Sequence, residues 1–145
     1  MEYLIAHRGN INGKSSKENS PLYIDNAIKK GFDVEIDIWY YNEELKLGHD
    51  YPKYRIDFEW IIERKESLWV HCKNVLSAEY LSLNPKDINF FFHENDKLTI
   101  TSKGYLWVFP GEQPVKNSIA VMPEIKNDDI DGCLGVCSDF INKYR

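Results

Sequence analysis

Cysteine is scarce in this sequence. Three occur among 145 residues, Cys72, Cys133 and Cys137, an odd number without a CxxC pair. That count excludes a disulfide framework, and neither Cys133 nor Cys137 has the cysteine or histidine neighbours of a zinc knuckle. Long apolar runs are missing too, none approaching the roughly 20 residues of a membrane-spanning helix. No N-x-[ST] sequon occurs, and charged and polar residues follow Met1 to Ala6 at once, so no secretory signal is read there. These absences lead to the expectation of a cytoplasmic protein with no stable membrane insertion. Basic excess is also lacking. Against 23 acidic residues stand 18 basic ones, a formal charge of −5. Binding to nucleic acid relies on Lys and Arg neutralising phosphates, so no nucleic-acid partner is expected. Repeats, low-complexity tracts and linkers are absent, and the length suits a single domain over residues 1–145.

What the sequence does hold is aromatic side chains, 14% of residues, which bury enough apolar area for a compact core in a short chain. The first half alternates between strand and helix patterns. Strands are predicted at Tyr3–Ala6, Asp33–Tyr40, Leu68–Lys73 and Asn89–His93. Helices are predicted from Pro21 to Lys30, after a Ser20 cap and before Gly31, then over Asp57–Glu66 and Ser77–Leu83. Strand–helix alternation implies a parallel sheet with right-handed crossovers. Further strand-like runs follow at Leu98–Thr101, Tyr105–Phe109, Ile119–Met122 and Leu134–Phe140, with only turns between them, for about eight strands in all.

The segment Asp33–Tyr40 (DVEIDIWY) is the most informative. Period-two alternation puts Val34, Ile36 and Ile38 on one face and Asp33, Glu35, Asp37 and Trp39 on the other. Two readings fit: an edge strand with its acids in water, or an acidic face turned into the sheet interior, where Glu35 and Asp37 need a cation. The histidines favour the second. There are only four, and His7, His71 and His93 fall at or near predicted strand ends, while His49 lies in the loop after the second strand. Parallel strands bring such ends to one face, where α/β active sites lie. Arg8 and Lys73 join them as phosphate-binding candidates, the alternative being salt bridges to the local carboxylates. Asn10–Ser15 (NINGKS) resembles the end of a P-loop, but Arg8 occupies the first glycine position. Cys72 falls on the opposite strand face from His71, as a packing residue, and Phe90–Phe92 reads as core.

The pieces Ile5–Asn10 (IAHRGN), Glu18-Asn19, Gly31–Asp37 (GFDVEID) and Leu47–Asp50 (LGHD) resemble the glycerophosphodiester phosphodiesterase family. That family belongs to a group of barrel phosphodiesterases that includes phosphatidylinositol-specific phospholipases C and sphingomyelinase D enzymes. The match is ordered and correctly spaced over the first 50 residues and thins afterwards, with Val70–Lys73 and Gly135–Phe140 resembling the third and last strands. The resemblance implies His7 and His49 as general acid and base, Arg8 and Lys73 on the phosphate, and Glu35 and Asp37 on a divalent ion (Mg²⁺, Mn²⁺ or Ca²⁺). It gives Glu18 and Asn19 the supporting role of ordering the loop around Arg8. One departure stands out. Where the family carries a third acidic metal ligand, this chain has His71, whose neutral imidazole disfavours Mg²⁺ relative to Mn²⁺.

The implied function is a metal-dependent phosphodiester hydrolase in lipid metabolism, acting on glycerophosphodiester-like small substrates or lysophospholipids. The alternative is a degenerate relative that binds a phosphorylated ligand without turnover. The implied fold is α/β, a pared-down TIM-type (β/α) barrel with helices mainly after its first three strands, since a full barrel takes about 250 residues. Bare outer faces around Leu106, Val108, Ala120 and Met122 would then favour a homo-oligomer.

Overall fold

The computed structural model describes residues 1–145. In chain order its elements begin with β1 (Tyr3–His7), α1 (Pro21–Lys29), β2 (Asp33–Tyr41), β3 (Glu44–Leu47), β4 (Tyr54–Ile56), α2 (Phe58–Arg64) and β5 (Leu68–Cys72). They continue with α3 (Val75–Leu83), β6 (Phe90–Phe92), β7 (Leu98–Ile100), β8 (Leu106–Val108), β9 (Ser118–Val121) and β10 (Gly135–Ser138), and a 3₁₀ turn at Ile141–Tyr144 ends the chain. All ten strands belong to one mixed, curled sheet. On one side β1 pairs with β2, β2 with β5 and β5 with β6; on the other β1 pairs with β10, β10 with β9 and β9 with β8. All these pairs are parallel.

Local chemistry starts each helix. The Ser20 hydroxyl accepts from the Tyr23 backbone N–H, with Pro21 at the first helical position of α1. Asp57 caps α2 by accepting from Trp60 N at 2.9 Å. In α3 the Asn74 side chain accepts from Ser77 N at 3.0 Å, while the Ser77 hydroxyl answers to the Asn74 N–H.

The two sheet faces are packed differently. Outside, Val34, Ile36 and Ile38 of β2 are fully buried in one cluster with Ile24 and Ala27 of α1, Ile61 of α2 and Leu81 of α3. Inside the curl, aromatic rings reach across from opposite strands. Trp69 stacks on Trp107 with ring centroids 5.6 Å apart, Phe91 lies 4.8 Å from Trp107, and Tyr3 meets Trp69 edge-on at 5.3 Å. These rings form an apolar floor at the strand N-terminal end. Further along the same inward face the side chains turn polar: His7 on β1, Glu35 and Asp37 on β2, His71 on β5.

The structure corrects the expected pared-down TIM-type (β/α) barrel. The sheet is mixed, and no α-helix separates β2 from β3, β3 from β4, or any successive pair of strands from β6 to β10. Asn42 and Glu43, at φ 51° and 63°, form a tight left-handed turn that sends β2 straight back into antiparallel β3, and β4 follows antiparallel in turn. β7 runs antiparallel to β8. Only three short α-helices form, and no ladder joins β6 to β7, so the sheet curls without closing into a parallel barrel. That seam is held by individual bonds, from Ser102 N to Phe90 O at 2.7 Å and from the Thr99 hydroxyl to Phe92 O at 3.2 Å. The later strands are covered at some of the positions expected to be bare. Val108 and Ala120 are fully buried within the chain, and Ile141 of the terminal turn packs in the same cluster as Ala120. Leu106 and Met122, the other two positions from which an oligomer was expected, are partly exposed.

Trp107 sits at the crossing point of the floor, 2% exposed. Trp107→Ala is expected to lower unfolding free energy by about 3–5 kcal/mol in urea denaturation, through a cavity its neighbours cannot fill.

Candidate functional site

Strand register assembles the site. The β1–β2 ladder sets His7 beside Glu35, and the β2–β5 ladder sets Asp37 beside His71. β2 has neighbours on both sides here, so Glu35 and Asp37, 2% and 1% exposed, are interior residues and not edge acids in water. All four histidines line one cleft of about 200 Å³, together with Arg8 and Glu35. Its opposite wall is apolar, formed by Trp107, Phe109 and Met122 among others.

Glu35, Asp37 and His71 each offer one ligand atom, and these atoms lie within 4.8 Å of one another. The His71 Nε2 is 3.2 Å from the carbonyl oxygen of His93, which can only accept, so Nε2 carries the proton. Nδ1 of His71 then faces Asp37 Oδ1 at 3.1 Å and Glu35 Oε1 at 3.7 Å. Asp37 Oδ1 and Glu35 Oε2 are buried without a hydrogen-bond partner. A lone pair on Nδ1 set against carboxylate oxygens is repulsive. A proton shared at this point or a bound cation relieves the contact. The donor set of two carboxylates and one imidazole, with its other N–H tied to a backbone carbonyl, fits a divalent ion.

The carboxylates titrate in opposite directions. Desolvation pushes Glu35 well above the ordinary 4.5, and the charge of Asp37 adds to the rise, while Arg8 and Lys73 oppose it. Desolvation acts on Asp37 as well. There the close imidazoles of His49 and His71 and the charge of Arg8 outweigh it, holding Asp37 well below 3.8.

The loop after β1 carries the remaining groups. Arg8 adopts a left-handed backbone, φ 57°, followed by Gly9 at φ 90°. This turn brings the guanidinium back over β2, with Nε 3.3 Å from Asp37 Oδ2 and one terminal nitrogen 3.2 Å from Glu18 Oε2. Asn19 grips Asp37 twice: its amide nitrogen donates to Oδ2 at 2.9 Å, and its oxygen accepts from the Asp37 N–H at 2.9 Å. His49 comes from the loop after β3, where a Cβ on Gly48 would collide with the Tyr51 carbonyl. Its Nδ1 lies 3.5 Å from Asp37 Oδ2, and its side chain is 38% exposed. Lys73 stands apart. It does not line the cleft and forms no ion pair, although its charge acts on both Glu35 and His93.

Two groups, one behind the cleft and one lining it, go beyond the sequence-predicted site. Asp139, just past β10, accepts from His7 Nδ1 at 2.8 Å, which turns Nε2 toward Glu35 at 3.7 Å. Desolvation alone would raise the Asp139 carboxyl. The His7 bond and charge, the Asn10 amide and Arg8 together lower it instead. The sequence showed an aspartate after a small residue at the last strand. Only the β1–β10 register says that it meets His7. His93 was expected at this face without a role. Its ring stacks on Phe109 with centroids 3.7 Å apart, and burial, aided by the charge of His71, lowers its pKa to about 4, leaving it neutral at ordinary pH.

Burial of ionised Glu35 weakens the metal-free fold. Its folded pKa lies above 4.5, so stability falls as pH rises from 4.5 toward that folded value. Metal-free Glu35→Gln is therefore expected to melt above the wild type at neutral pH, the gap closing as pH approaches 4.5, as read by thermal scans across pH. Added Mn²⁺ is expected to raise the melting temperature of the wild type and not of the variant.

Comparison of the chain with protein-family models, with curated proteins and with solved structures finds no match.

Proposed function

We propose that the chain is a metal-dependent phosphodiester hydrolase of the glycerophosphodiester phosphodiesterase type, acting on glycerophosphodiester-like small substrates or lysophospholipids. The observation that carries this reading is the meeting of Glu35, Asp37 and His71 ligand atoms within 4.8 Å, with buried carboxylate oxygens left unpartnered. These three residues would hold a divalent ion, which when bound supplies charge neutralisation at the phosphoryl oxygens. Arg8, already carrying two carboxylate neighbours, turns its guanidinium edge to a phosphate oxygen, and Lys73 adds positive charge at the rim. The protonated Nδ1 of His7 is held by Asp139, so its Nε2 is free to take a proton from the attacking water or substrate hydroxyl. His49, on the solvent side of Asp37, would return a proton to the leaving oxygen. The fragments IAHRGN, Glu18-Asn19, GFDVEID and LGHD, in that order along the chain, support the same reading by resemblance. The apolar wall and the small cleft favour a compact leaving group over a polymer.

A second reading is a binder of phosphorylated ligands without turnover. It draws on His71, an imidazole where a carboxylate ligand is expected.

Assays on bis-p-nitrophenyl phosphate and on glycerophosphodiesters with Mg²⁺, Mn²⁺ and Ca²⁺ separate the two. Turnover is expected to be highest with Mn²⁺, and His71→Glu is expected to shift preference toward Mg²⁺. His7→Ala and His49→Ala are each expected to lower kcat by about 10²–10⁴-fold. No turnover with any metal, alongside measurable binding of glycerol phosphate, would establish the binder.

A further inference from the structure

We infer that Tyr23 and Asn10 are positioning residues: the Tyr23 hydroxyl fixes the Asn10 amide, whose two N–H bonds lock Asp139 against His7 and Glu18 against Arg8. The kinetic consequence rests on the hydrolase reading; the bonds themselves do not.

Asn10 is wholly buried, 0% exposed. Its Nδ2 lies 2.8 Å from Asp139 Oδ1 and 2.9 Å from Glu18 Oε1, and its Oδ1 lies 3.0 Å from the Tyr23 hydroxyl. Ionised carboxylates only accept, so the amide nitrogen must face them, and the hydroxyl must donate to the amide oxygen. The reversed amide would set a carbonyl oxygen against two carboxylates. Each carboxylate holds a different working group. Asp139 Oδ1 also takes the His7 Nδ1 proton at 2.8 Å, and Glu18 Oε2 takes the Arg8 guanidinium at 3.2 Å. One buried amide therefore couples the imidazole that moves the proton to the guanidinium that binds phosphate.

The bond that anchors the oxygen end of this amide comes from α1, and Tyr23 does not line the cleft. Gly9 makes its approach possible, since a Cβ there would stand 2.7 Å from Tyr23 Cδ2. Removing the hydroxyl leaves the Asn10 carbonyl buried without a donor and loosens the anchoring of the amide, whose orientation the two carboxylates still set. The constraint that Asp139 and Glu18 share is then weakened.

Tyr23→Phe keeps the ring and the packing. Tyr3→Phe, which deletes a hydroxyl from the 2.9 Å Tyr3–Tyr105 pair on the floor, serves as the control for losing a tyrosine hydroxyl. Two readouts are taken: kcat and KM on bis-p-nitrophenyl phosphate with Mn²⁺, and the NMR signal of the His7 Nδ1 proton. For Tyr23→Phe, kcat is expected to fall about tenfold with KM within about twofold, while the proton signal broadens through exchange with water. Tyr3→Phe is expected to leave both readouts as in the wild type. An unchanged, sharp His7 signal in Tyr23→Phe would overturn the inference whatever the kinetics. If the wild type turns over nothing with any metal, yet the signal broadens in Tyr23→Phe alone, the hydrolase reading falls and the positioning role stands.

Discussion

Two carboxylates, Glu35 and Asp37, are buried on one face of a central strand, and most of the surrounding structure answers to them. Bringing a charged group out of water costs several kcal/mol even after relaxation, a large fraction of the 5–15 kcal/mol that holds a typical domain folded. The compensation here is specific. Arg8 bends into a left-handed backbone to reach Asp37, Asn19 grips the same residue through both side chain and backbone, and His71 turns Nδ1 toward both acids. Compensation is nonetheless incomplete, for one oxygen on each carboxylate has no hydrogen-bond partner. A fold selected for stability alone would replace such a pair with apolar residues. The pair suits the cation site proposed above.

The curl of the sheet lets a short chain carry this load. Its outer face packs against three helices in an ordinary aliphatic core, and its inner face divides along the strands. At the N-terminal ends Trp69, Trp107 and Phe91 fill the interior. At the C-terminal ends the polar groups gather over that floor. The floor therefore supports the site as well as the fold, since the stack of His71 on Phe91, centroids 5.1 Å apart, joins the aromatic layer to the candidate metal ligands.

Much of this was legible in the residues. Period two in DVEIDIWY sorted the faces of β2 correctly, and Ser20-Pro21 marked the start of α1. The four histidines do meet in one cleft. The meander of β3 and β4 was not legible, because Asn42-Glu43 lacks the glycine that usually announces a two-residue hairpin turn. β7 read as a strand, but nothing in Leu98–Ile100 marks its direction. The resemblance to barrel phosphodiesterases pulled the fold expectation toward an eightfold parallel architecture, whereas this chain makes direct antiparallel returns at β2–β3–β4 and at β7–β8.

The sequence by itself determined which residues bear charge, which strand face is acidic and where helices begin, because side-chain periodicity and capping are local properties. Only the tertiary structure decided that Asp139 meets His7, that the His93 carbonyl sets the His71 proton, and that Asn10 ties Asp139 to Glu18. Those are contacts between residues far apart in the chain, except for the short span from Asn10 to Glu18. They depend on strand register and on the curl of the sheet, quantities that no local pattern encodes.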